Sequence, residues 1–203
     1  MKWTSAPGDP MLSPLAALLL FATLPPALEQ WRVEIESAGQ TPVYLGETRT
    51  SAGGAEISLP DDTPAQYLRQ PGFLQQFLLM RAVLVHHQSP GASAFLVLLN
   101  GARRPEWESF EHALIAHEFG HAWLRARRFP TPAFQSGPLA CLSIHTADIV
   151  QHVLIRKELD ARNLPHLPLT LASLQSALDA AASLPDGEGI RRIRLGDPCL
   201  ALR

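Results

Sequence analysis

Residues 113–124 read ALIAHEFGHAWL. His117 and His121 stand four apart in an otherwise apolar window, and Glu118 directly follows the first of them. A helix turns about 100° per residue, so side chains four apart leave the same face one turn from each other. Two imidazoles placed this way can chelate one cation. Glu118 leaves the helix to the side of the pair, where it cannot easily share the cation but can reach a water held there. That is the position of a general base. Ala113, Leu114, Ile115, Ala116, Phe119, Gly120, Ala122 and Trp123 carry no charge, so they bury the helix and leave two imidazoles and a carboxylate as the polar groups to be explained. Gly120, costly inside a helix, permits close approach of a neighbouring backbone. The competing reading is a core helix with two hydrogen-bonded histidines.

HEFGH matches the motif H-E-x-x-H, and the segment resembles the zincin metallopeptidases over about twelve residues. The resemblance implies an α+β domain in which a small N-terminal sheet leads into the motif helix and a second helix closes the metal site. It implies a Zn²⁺ cofactor, held by His117, His121 and a third residue, and a peptide or protein substrate. The metal would polarise the scissile carbonyl and lower the pKa of its water to about 7. Glu118 would take the proton and pass it to the leaving amine. A strand beside the cleft, for which residues 93–101 are the candidate, would pair with an extended peptide. The metzincin continuation is excluded, because Leu124 and Arg127 stand where its Gly and His belong. No Tyr lies downstream of Tyr67, so oxyanion help must come from a His, an Arg or a backbone amide.

Catalytic zinc usually takes three protein ligands and a water. Between His121 and Asn163 the candidates are His145, Asp148, His152 and Glu158. Glu158 is the one Glu of the interval, but it follows Arg156 and Lys157, as in a solvated helix end, and Arg162 occupies the place where gluzincins carry an Asp. His145, Asp148, His152, Ile155 and Leu159 fall at spacings of three and four, on one helix stripe. The stripe is apolar towards its C-terminus and polar towards its N-terminus, and a cation beneath Asp148 and His152 would satisfy the polar end. Either of these two is the expected third ligand, with the other orienting a ligand from behind. An Asp ligand would resemble the aspzincins, whose surrounding motif is absent. The bland alternative is a helix N-terminal acid beside an exposed histidine. His86, His87, His112 and His166 are expected to be structural or exposed. No G-x-S-x-G elbow, phosphate loop or cysteine nucleophile competes.

The elements that must position these residues follow from periodicity. Residues 31–37, 42–47 and 55–60 are expected as short strands, the first with one wet face because Val33 and Ile35 alternate with Arg32, Glu34 and Glu36. Residues 60–68 are turn-rich, 72–88 are long and apolar enough for a helix, and 93–101 suit a buried strand. Pro105 stands where a helix over 106–128 would start, and Pro130 and Pro132 end it. Further helices are expected over 141–163 and from Thr170, a capping residue, while 190–203 form a strand or ordered tail.

The chain has 203 residues, enough for one domain with a core. Lys2 precedes the apolar run Leu15–Leu24, too short to cross a bilayer but suited to a signal peptide over residues 1–27. Residues 28–203 would then be one domain, exported to a periplasm or beyond the cell. In such a compartment Cys141 and Cys199 could pair. A net charge of −2 gives no reason to expect nucleic acid, and Arg125, Arg127 and Arg128 suit a solvated helix end. No stable membrane span is expected, and the oligomeric state is open. Two readings of other classes compete with a peptidase: a non-catalytic zinc-binding or sensing module on the same scaffold, and a metal-free helical interaction protein.

Overall fold

The computed structural model describes residues 24–51, 54–58, 77, 80–89, 92–130 and 140–183. Residues 1–23 of the segment 1–27 expected as a leader, the turn-rich 60–68 and the tail 190–203 lie outside them, as does the question of a Cys141–Cys199 bond. The described residues form an α+β fold: a helix, a small sheet, then three helices.

Helix α1 spans Pro26–Gly39 and replaces the strand expected over 31–37. Leu28, Trp31 and Ile35 recur at helical spacing and are buried. Arg32 bridges Glu29 and Glu36, one turn to either side. The Val33–Ile35 alternation is too short to compete with that stripe, and Val33 faces solvent. The proline at the first helical position loses no bond, since its N–H would be unpaired there. Gln40, left-handed at φ 48°, closes the helix by donating its N–H to the Glu36 carbonyl. The Glu36 carboxylate accepts from the Val43 N–H at 2.9 Å, tying helix to sheet.

The sheet contains β1 (Val43–Ser51), β2 (Gly54–Ser58), β3 (Ala82–Ser89) and β4 (Ala92–Asn100) in the order β2-β1-β4-β3. β1 and β4 run parallel, with Val43 opposite Phe95, and the other pairs are antiparallel. The strands expected over 42–47, 55–60 and 93–101 are present with shifted ends. The helix expected over 72–88 is corrected: residues 82–89 are β3. The sheet is covered on both faces. Leu84, Phe95, Val97 and Leu99 join the helices in one core, while Val85, Leu96, Leu98 and Phe77 form a second. A strand buried on both faces reads as an unbroken apolar run, which periodicity cannot tell from a helix.

Residues 101–110 are two 3₁₀ segments, with Pro105 inside the first rather than opening the helix. Helix α2 follows as Glu111–Ala126. The buried Trp107 donates its indole N–H to the Asn100 carbonyl at 2.9 Å, fastening this approach to the end of β4. Arg125, Arg127 and Arg128 are exposed at the far end. Helix α3 spans Ala140–Ala161 and α4 spans Leu167–Ala182. α4 begins three residues before Thr170, whose hydroxyl donates back to the His166 carbonyl at 3.2 Å, so Thr170 is an internal residue and not the cap. Among the described residues no helix is long and apolar enough to cross a membrane.

Candidate metal centre

Helix α2 is buried along nearly its whole length, packed between α1, β3 and α3. Gly120 sets the depth at which α3 crosses it. A Cβ at Gly120 would stand 2.5 Å from Cγ2 of Ile155, so the space of a missing side chain is filled by Ile155. The close neighbour is thus a side chain of α3, where the sequence suggested backbone. His152 lies one turn before Ile155, and this docking brings it over the pair on α2.

One ring nitrogen from each of His117, His121 and His152 lies within 4.8 Å of the others. Nε2 of His152 is 3.2 Å from Nε2 of His117. The two rings stack at 4.9 Å between centroids, and His121 stands edge-on to both. Two of the outer nitrogens have partners. Nδ1 of His152 is 3.2 Å from Oδ2 of Asp148, and Nδ1 of His121 is 3.3 Å from Oε1 of Gln151. Both partners are acceptors, so both favour a proton on Nδ1 and leave Nε2 as a lone pair. The 3.2 Å approach of Nε2 of His152 to Nε2 of His117 suits a proton or a cation between them. The donor set, three imidazoles with two oriented from behind, fits a borderline-soft divalent ion.

Burial, and then the neighbouring His121 and His152, holds the His117 imidazole down at about 3. Burial and His152 hold His121 at about 4. Neutral rings are the form that binds metal. Glu118 lies beside them, and burial pushes its carboxyl up to about 7 against the opposing pull of the Leu84 backbone N–H and of Arg125. That N–H belongs to β3, so the strand missed in the sequence is the one that holds the carboxyl group. It also displaces residues 93–101 from the cleft: β4 lies inside the sheet, and β3 lies beside α2.

Asp148 does not join the three histidines. Its carboxylate meets the outer nitrogen of His152 and is itself half exposed. Glu158 faces elsewhere, 3.6 Å from Arg162, which also binds Glu34. The side chain of His145 lies outside the described residues. His86 and His87, expected on a helix, lie on β3 and so face opposite sides of the sheet, His86 meeting Ser93 at 3.1 Å. His112 is exposed, and His166 pairs with Asp160 at 2.8 Å. Gln151 and Arg156 were not anticipated. The only sequence signal for either was its place beside His152, one residue before it and one turn after it.

A cavity of about 610 Å³ opens beside the cluster, bounded by His117, Glu118 and His152 on one side and by Leu169 and Leu174 of α4 on the other. No known family, curated protein or solved structure matches this chain.

Proposed function

We propose that the protein is a zinc-dependent peptidase of the H-E-x-x-H type, with His117, His121 and His152 as ligands and Glu118 as general base. The observation that carries this reading is the convergence of three imidazole nitrogens beside a buried carboxyl group at the wall of one cavity. When bound, zinc would supply Lewis acidity, polarising the scissile carbonyl and acidifying the attacking water. Glu118 would take a proton from that water and deliver it to the leaving amine. A carboxyl group whose pKa lies near neutrality can do both within one turnover. The Leu84 N–H would hold one carboxyl oxygen while the other works. Peptide groups two apart on a strand edge face the same way, so Ala82, which lines the cavity, would present its N–H and C=O to an extended substrate. Asp148 and Gln151 would fix the tautomers of His152 and His121. The likeness to zincins belongs to this proposal, and so does export of the mature protein.

Metal analysis of purified protein, together with cleavage of a peptide library by wild type and Glu118→Gln, tests the reading. About one zinc per chain is expected, with cleavage by wild type and none by the variant. Zinc binding with no cleavage of any peptide would leave the non-catalytic binding module, and protein without zinc affinity would leave the interaction protein.

A further inference from the structure

The cavity lined by His117 and His152 is also lined by three arginines, Arg81, Arg103 and Arg156. Arg103 is engaged by Glu106 through two bonds of 2.7 and 2.8 Å. Arg81 approaches the same carboxylate at 3.5 Å and donates to the Ser176 hydroxyl of α4 at 2.7 Å. Arg156 is placed differently. Its Nε donates to the His152 carbonyl of its own helix at 3.3 Å, and among the described residues no acid lies within ion-pair distance of it. Anchorage through Nε leaves both terminal amino groups as a fork, the arrangement that meets a carboxylate at two points. Even with Glu106 and Glu118 both ionised, the lining keeps an excess of positive charge.

Arg156 follows His152 by four residues, so it shares a helix face with that histidine one turn, about 5.4 Å, further along. Successive Cα atoms of a peptide are about 3.8 Å apart. A substrate whose carbonyl sits at the histidines therefore brings the adjoining residue within reach of the guanidinium. We infer that the cavity selects substrates carrying a carboxylate on the residue adjoining the bond to be cut, and that Arg156 is the specificity-determining residue that holds it. The inference rests on the hydrolytic reading above. The carboxylate can be an acidic side chain or a free C-terminus, since both offer the same planar anion. Arg81 and Arg103 add a positive field that salt would weaken.

The test compares peptides matched except at that residue, Glu against Gln and free acid against C-terminal amide. Wild type should cut one of the acidic forms with kcat/KM about tenfold or more above its neutral partner, the worth of one charge-assisted contact. The pair that shows the preference identifies the source of the carboxylate. In Arg156→Gln the ratio should fall towards one with zinc content unchanged, and Arg156→Lys should restore part of it. A second arm measures binding of the same peptides to Glu118→Gln protein, where no turnover is needed. Equal cleavage and equal binding of acidic and neutral forms would overturn the inference and leave the peptidase reading intact. A preference that survives in Arg156→Gln would overturn the assignment to Arg156. If no peptide is cut but acidic forms bind more tightly through Arg156, hydrolysis fails and carboxylate recognition stands. No cleavage and no difference in binding would remove both.

Discussion

Helices α2 and α3 each bring imidazole to the same centre, but they are held in different ways. α2 is enclosed by α1, the sheet and α3, and residues 113–116, 118–120 and 122–124 are all buried. Its two histidines meet because a helix turns as it does, and any α2 that forms presents them together. α3 is half open. Ile149, Val150 and Val153 face solvent, while Ile155 and Leu159 are buried, and His152 sits at the change between the two regimes. Its position depends on how α3 docks, and the docking depends on the empty side of Gly120. Two of the proposed ligands are thus set by local geometry and the third by tertiary packing. The two classes should fail differently when mutated.

The largest effects should come from α2. His117→Ala or His121→Ala should abolish stoichiometric zinc binding and all hydrolysis, because each removes half of the chelate. Glu118→Gln should keep the zinc and lose at least about two orders of magnitude in kcat, the worth of a general base. Metal analysis and kcat on the same preparations separate the two outcomes. Full zinc occupancy in His117→Ala would remove the proposed centre, and zinc loss in Glu118→Gln would give that residue another role.

The contact between the helices gives the next effect. In Gly120→Ala the new methyl group would meet Ile155 at 2.5 Å, and overpacking of this kind costs about 1–3 kcal/mol. α3 must shift, His152 shifts with it, and zinc affinity should fall together with the denaturation midpoint. In an Ile155→Ala background the obstructing methyls are gone, and the same change should cost far less or even stabilise, since Ala is the better helix residue. An unchanged zinc affinity in the single variant would show that His152 does not depend on this docking.

The same division explains what could be read from the residues alone. The pair His117 and His121 and the stripe through His152, Ile155 and Leu159 are written in spacings of three and four, which a helix converts directly into geometry, and the proposed base Glu118 is read from its place beside the pair. Most of the sheet is legible from another signal, short apolar or alternating runs bounded by turn residues, and the α+β class follows from the two together. β3 is not legible, because a strand buried on both faces loses its alternation, and Val83, Leu84 and Val85 read as well in a helix. In α1 the opposite holds, two alternating residues masking the longer stripe of Leu28, Trp31 and Ile35. The choice between Asp148 and His152 could not be made by spacing, since both lie on one stripe. In the structure it is His152 that lies near His117 and His121, where the docking of Ile155 against Gly120 sets it, a contact between residues 35 positions apart in the sequence.

Residues behind the ligands should show smaller effects. Asp148→Asn weakens the acceptor on Nδ1 of His152, and Gln151→Ala removes the one on Nδ1 of His121. Each should reduce zinc affinity about 10–100-fold while leaving the fold intact, as loss of an orienting partner does elsewhere. Asp148→Asn should cost more, because it acts on the ligand whose helix is less enclosed. Competition with a chelator of known affinity, read beside the thermal midpoint, measures both. Complete loss of zinc in Asp148→Asn with full retention in His152→Ala would make the carboxylate the ligand and the histidine its support.

The smallest effect is expected at Glu158, and it bears on the comparison most directly, because this residue shares α3 with His152. They stand six positions apart, which sets their side chains about 120° apart around the helix. There Glu158 stands 3.6 Å from Arg162, whose guanidinium is also held by Glu34 at 2.9 Å and lies over the rings of Trp31 and Trp123. Arg162 keeps these other partners when Glu158 loses its charge, so Glu158→Gln should change stability by no more than about 0.5 kcal/mol. Zinc content and kcat should be those of wild type. The result is informative because Glu158 is the glutamate that an ordinary gluzincin arrangement would place over the motif helix. If Glu158→Gln released the metal, α3 would have to be rotated by about a third of a turn from the orientation in which Ile155 fills the space at Gly120. His152 would then leave the centre, and Asp148 and Gln151 would have no ligand to orient.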